Sequence, residues 1–177
     1  MARSTTFGGT SGETLTVTIT ESLTIDDRDY GSKQVLAIPA IVDVTRRLVT
    51  ILHTAESVIA TFAATIGPGG YIAGDVMYMR FTNLDDTNFV TLTFRNQDND
   101  EVAIKLDDGK SLVLCGDNDG GMVDIFNATQ DADVASDTDL GDLTNIQADA
   151  NSASIDLEMY IACKEIKEKN NVRSAIK

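Results

Sequence analysis

Few side chains in this sequence have the types and spacing that chemistry requires. There is one histidine, His53. A catalytic triad would need it to meet a nucleophile and an orienting acid, and nothing in the sequence signals such a meeting. His53 therefore reads as an ordinary strand-end residue. A cupin-type metal centre on a jelly roll draws on several histidines, so that class is set aside. Asp117, Asn118 and Asp119 ahead of Gly120 open like a calcium loop, but Ala128 stands where its twelfth-position glutamate belongs. Asp131, Asp133, Asp137 and Asp139 could also gather oxygen ligands, although acid-rich loops more commonly form solvated surface. Gly109, Lys110 and Ser111 end like a phosphate-binding loop. Ile104 replaces the earlier glycine of that motif, and the setting is a hairpin rather than a strand-to-helix turn.

Paired carboxylates, Asp85 with Asp86 and Asp107 with Asp108, invite comparison with glycosidases. They fall in tight turns, where aspartate is favoured because its side chain bonds its own backbone. Glycosidase acids usually lie in a cleft lined by sugar-stacking aromatics, and this chain has no tryptophan and only 6% aromatic residues. The expectation is a protein that is not an enzyme and holds no cofactor or metal. The adjacent Arg46 and Arg47 have two readings, an outward pair at a sheet edge or a contact to an acidic neighbour. Cys115 and Cys163 end two β-type runs and would pair only if the fold brought their Cα atoms within about 7 Å. Free, buried thiols are expected, as in a reducing compartment.

The elements that must position these residues are strands. From Val76 to Cys115 four β-type runs are separated by Asn, Asp and Gly. Val90, Leu92 and Phe94 alternate with Thr91, Thr93 and Arg95, and Val102, Ile104 and Leu106 alternate with Ala103 and Lys105. This period of two marks strands with one buried face. The short polar connectors, with Gly109 free to take positive φ, predict an antiparallel meander. Upstream, Thr14 to Thr20 sets Leu15, Val17 and Ile19 on one face and threonines on the other, a sheet with one wet side or with a second protein lying on it. Asp26, Asp27, Asp29 and Gly31 make a turn. Pro39 introduces a β-branched segment, Ile41 to Thr54, whose apolar parity changes around the two arginines. That predicts a β-bulge or a strand changing sheets there, with a helix as the alternative. Val58, Ala60, Phe62, Ala64 and Ile66 form another alternation, ended by Gly67, Pro68, Gly69 and Gly70.

Beyond the meander, Val123 to Phe126 reads as a short strand and Asn127 to Asp142 as an acidic loop. No Lys or Arg occurs between Lys110 and Lys164, while eleven acids do. Ile155, Leu157, Met159, Ile161 and Cys163 form a closing strand, with Asp156, Glu158 and Tyr160 facing out. About nine or ten strands with frequent turns predict an all-β antiparallel β-sandwich of jelly-roll type. It would span residues 14–163, between a flexible arm at 1–13 and a basic tail at 164–177.

At 177 residues, a single domain can bury roughly 70% of its unfolded surface without disulfides or metal. The net charge of −14 would repel phosphates, so nucleic acid is not an expected partner. MARSTTFGGT lacks the apolar core of a signal peptide, and no apolar run is long enough to span a bilayer. A soluble protein made in the cytoplasm, with no membrane partner, is the expectation.

The segment Tyr78 to Leu114 resembles one found in small virion structural proteins of tailed bacteriophages, above all marine ones. Tyr78, Arg80, Thr82, Asn83, Leu84 and Asp85 carry the resemblance, with Leu106, Gly109 and Ser111, and a looser likeness reaches Cys163. Residues 1–70 are not covered. The resemblance implies a non-enzymatic virion component and brings no catalytic or ligand residues. Its first expectation is a capsid cement or decoration protein bound to the major capsid protein and self-associating cyclically, for instance as a trimer. A tail, neck or fibre adaptor is the near alternative, and a carbohydrate- or Ca²⁺-binding host-attachment module the distant one. Expected contact residues are Arg3 and Phe7 of the arm, Arg46 and Arg47, and Lys164, Lys167, Lys169, Arg173 and Lys177 of the tail.

Overall fold

A computed structural model describes residues 12–63, 70–116, 121–122 and 143–164. Strands dominate these residues, and two larger sheets share one apolar core. The first sheet has the order β10-β9-β12-β6-β7, from Glu101–Leu106 (β10), Val90–Asn96 (β9), Leu143–Ala150 (β12), Ser57–Ala63 (β6) and Tyr71–Ile72 (β7). The second has the order β11-β8-β13-β5, from Ser111–Cys115 (β11), Val76–Asn83 (β8), Ile155–Cys163 (β13) and Asp43–Ile51 (β5). All neighbours run antiparallel except β6 and β7.

The period of two puts one side of each sheet into the shared core. Leu92 and Phe94 of β9 and Ile146 and Ala148 of β12 come from one sheet, and Met79 and Phe81 of β8 and Leu157, Met159 and Ile161 of β13 from the other. Phe81 meets Phe94 edge to face across the gap, with ring centroids 6.4 Å apart. The first sheet's opposite face is polar: Thr91 lies level with Lys105 and Asp149, and Arg95 with Glu101 and Asn145.

A ribbon stands apart from both sheets. Glu13–Glu21 (β1) pairs with Ser32–Ile41 (β4), and Thr24–Ile25 (β2) with Arg28–Asp29 (β3). Asp26 and Asp27 both take positive φ, 49° and 59°, the geometry of a tight hairpin turn matched to strand twist. Near the other end, Leu15, Val17, Ile38 and Ile41 pack over Met77, Tyr78 and Ala162 on the outer face of the second sheet.

Several expectations need correction. Only β9 and β10 form a hairpin in the Val76–Cys115 stretch; β8 pairs with β11 in the other sheet, so the segment is not a meander. Period-two patterning sets which face is buried and leaves the pairing partner open. The bulge expected at Arg46 and Arg47 is absent, since β5 runs in unbroken register with β13 from Asp43 to Ile51. Its outer row simply carries apolar residues, with Val44 at 45% and Leu48 at 58% exposure. A register shift occurs instead in β6 opposite Ile146 and Gln147, and turns Val58 outward while Ile59, Ala60 and Phe62 stay buried. β4 and β12 have no counterpart in the sequence reading. Pro39 lies within β4, where its missing donor is tolerated because β4 pairs on one side only. Both cysteines are free thiols, Cys163 buried and Cys115 half-buried. The expected arm before Gly12, the end of the alternation from Ala64 to Gly69, the calcium-like Asp117 to Gly120, the strand 123–126, the acidic loop and the tail after Lys164 lie outside the described residues.

Candidate functional site

The outer face of the second sheet gathers side chains that lie far apart in sequence. Register places Val113, Arg80, Tyr160 and Arg46 in one row across β11, β8, β13 and β5. Glu158 lies two residues along β13 and receives both arginines. Arg46 donates from Nε to Oε1 at 2.6 Å, and Arg80 from Nη2 to Oε2 at 2.6 Å. These are diagonal cross-strand contacts of the kind a sheet surface makes available. Glu158 is largely buried by them, Arg80 is one-third exposed and Arg46 two-thirds exposed. Two guanidiniums thus share one carboxylate, leaving a local surplus of positive charge on a chain whose net charge is −14.

Tyrosines flank this cluster. The Arg80 guanidinium sits 5.9 Å from the Tyr160 ring centroid, and Tyr160 meets Tyr78 edge to face at 5.8 Å. Burial pushes the Tyr78 phenol above its ordinary pKa, with Arg80 opposing that shift. The ribbon roofs part of this floor, and between them runs an open cleft of about 400 Å³. Leu15, Thr16, Val17, Thr18 and Ile19 of β1 form one wall; Tyr78, Arg80, Val113 and Tyr160 form the floor. Among the described residues Arg80 is the one charged residue lining it. The cleft is chemically suited to recognition, with apolar walls, two phenols and one guanidinium.

The two arginines separate, as neighbours on a strand must. Arg46 finds its acidic neighbour in Glu158 of the same chain, while Arg47 donates to the carbonyl of Ile59, at the register shift of β6. Lys164 follows β13, and its backbone N–H donates to Asp75 at 2.8 Å. Arg3, Phe7, Lys167, Lys169, Arg173 and Lys177 lie outside the described residues. His53 is exposed just beyond β5. Among the described residues no three His, Cys, Asp or Glu side chains gather as a metal site, and no helix is long and apolar enough to cross a membrane.

Thr82, Asn83, Asp85, Leu106, Gly109 and Ser111, among the residues that carry the resemblance, meet at one corner, while Tyr78 and Arg80 lie in the cleft. Buried Asn83 donates to the carbonyls of Asn88 and Leu106 and accepts from the Asp85 N–H. Asp85 accepts from the backbone of Thr87 and Asn88, and its own carbonyl accepts from Gly109, which takes φ +64°. Thr82 bonds Ser111 alongside. This is a structural lock that ties the exit of β8 to the entry of β11. The sequence reading placed Glu158 and Tyr160 outward correctly, but not with Arg46 and Arg80, 112 and 78 residues away from Glu158. No signal in the sequence encodes that meeting, which depends on β13 lying between β8 and β5. No protein-family model, curated protein or solved structure matches the chain.

Proposed function

We propose that this chain is a non-enzymatic structural protein of a tailed-bacteriophage virion. In this reading it is a capsid cement or decoration protein that bridges shell subunits, built on a jelly-roll sandwich. Strand order supports the jelly roll. β5-β13-β8-β11 faces β6-β12-β9-β10, so the consecutive pairs β5 and β6, β8 and β9, β10 and β11, and β12 and β13 each straddle the two sheets. That is the interleaving of an eight-stranded jelly roll, a fold that serves viral capsids. Fold alone does not assign function, and lectins share this architecture.

The observation that carries the assembly role is the ribbon. Ile19, Leu23, Ile25, Tyr30, Val35 and Leu36 are each between 44% and 60% exposed along it. Exposed apolar side chains gathered along one element mark interaction surfaces more often than scattered ones do. The natural cover is a neighbouring subunit, and the resemblance of Tyr78 to Leu114 points to a virion as the setting. Its partners are then the major capsid protein and further copies of itself. The chain is made in the host cytoplasm and ends in the particle.

The test mixes purified protein with heads lacking it and with isolated tails, sediments them, and counts copies per particle. Many copies on heads are expected, and replacing Ile25 and Tyr30 by aspartate should remove most of them. A small fixed number on tails or necks would instead make it an adaptor. Binding to neither would overturn the virion reading in favour of a host-attachment module.

A further inference from the structure

We propose that the free edge of β1 is a strand-docking site. Its occupant is an extended segment of a partner protein with apolar side chains at alternate positions and a carboxylate set to meet Arg80. The proposal stands whether or not the protein belongs to a virion. Among the described residues β1 pairs only with β4, so its second edge presents unpaired backbone groups. Five consecutive residues, Leu15 to Ile19, line the cleft. Side chains alternate between the faces of a strand, so a cleft touched by all five meets the edge of β1 rather than one face.

Natural sheets blunt exposed edges with charges, proline, bulges or shortness. β4 carries Lys33 and Pro39, β5 carries Arg46 and Arg47, β10 carries Glu101 and Lys105, and β11 is five residues long. β1 has one register shift, between Glu13 and Leu15, and from Leu15 to Thr20 it has none of these devices, with residues that favour extended structure. An unblunted edge above an apolar floor suits β-augmentation, where backbone bonds give affinity and alternate side chains give specificity.

Charge decides among occupants. A second copy pairing antiparallel about Val17 would set Glu13 against Glu21 at both ends, and like charges directly opposite are destabilising. The floor carries one guanidinium, Arg80, and it shares its carboxylate, Glu158, with Arg46 outside the cleft. An acidic side chain on the docked strand completes that set.

The probe is a nine-residue peptide of alternating valine and threonine, with glutamate at one valine position, beside a twin carrying lysine there. Amide shifts and hydrogen exchange are read on the full chain. The glutamate peptide should shift and protect amides within residues 14–20 and bind more tightly than its twin. Arg80→Ala should weaken it roughly fivefold, as for a partly exposed ion pair, and Glu158→Gln, which frees both guanidiniums, should tighten it. Thr18→Lys, at an exposed position, should block binding without unfolding. A merely structural role for Arg80 and Glu158 would not move affinity in opposite directions. The proposal is overturned if β1 amides stay unshifted at millimolar peptide, if the twins bind equally, or if the chain sediments as a dimer that Thr18→Lys dissociates.

Discussion

Asn83 and Asp85 illustrate how single side chains hold this chain in shape. Asn83 is fully buried and makes three hydrogen bonds at the corner between β8 and β11. Asn83→Ala strips two carbonyls and one N–H of their partner, so a loss of about 1–3 kcal/mol is expected in urea denaturation. Asp85 accepts from the backbone of Asn88 and Thr87, which holds its carboxyl below the ordinary aspartate value. A depressed folded value means the unfolded chain takes up the proton first. Its contribution is therefore complete above the unfolded value of about 3.9 and is lost as pH falls through the lower folded value. Asp85→Asn should lower the melting temperature near neutrality and flatten its fall on acidification; a variant with the parent's acid slope would contradict this. Within the arginine cluster, Arg46→Ala should cost less than about 1 kcal/mol because that side chain is two-thirds exposed. Glu158→Ala should cost more, since it leaves two adjacent guanidiniums without a counter-charge.

At the level of elements, β12 shows why some strands escape pattern reading. Its inward residues, Leu143, Ile146, Ala148 and Ala150, are half alanine, and the outward Asn145, Gln147 and Asp149 resemble a loop. Yet β12 lies between β9 and β6 and is largely buried. Ala148 and Ala150 are both buried in the shared core. Ala148→Leu should then overpack the core and destabilise by about 1–3 kcal/mol. Phe81 and Phe94 are the opposite case, large rings fully buried where the sheets meet. Phe81→Ala should cost about 3–5 kcal/mol, measured by calorimetry or denaturant. β1 and β4 contribute little to that core, because only Leu15, Val17, Ile38 and Ile41 reach the second cluster. Amide exchange should accordingly be faster along the ribbon than in β9 or β13.

For the whole molecule, the two outer faces differ in kind. One is a polar array of threonine, asparagine and paired charges, suited to water. The other carries the ribbon, the cleft, and exposed Val44 and Leu48, suited to contact. On the proposed assembly role, the basic residues that follow Lys164, namely Lys167, Lys169, Arg173 and Lys177, would offer a separate attraction to acidic neighbours. Deleting 165–177 spares the Lys164 backbone bond to Asp75, so the domain should stay folded. Assembly should weaken most at low salt, where the lost attraction is least screened; equal assembly at low and high salt would contradict that role.

Much of this protein is determined locally. Alternation in Val90 to Phe94 and Ile155 to Cys163 fixes which side chains face the core, since successive residues of any strand point to opposite sides. Turn residues such as Asp26, Asp27 and Gly109 fix where the chain reverses, since positive φ costs them little. Pairing is decided elsewhere. That β8 leaves β9 for β11 and β13, that β12 is a central strand, and that Arg46, Arg80 and Glu158 meet are long-range outcomes. Any strand edge can bond any other, so the partner is chosen by how the two apolar faces close over one core, and only the tertiary structure holds that choice.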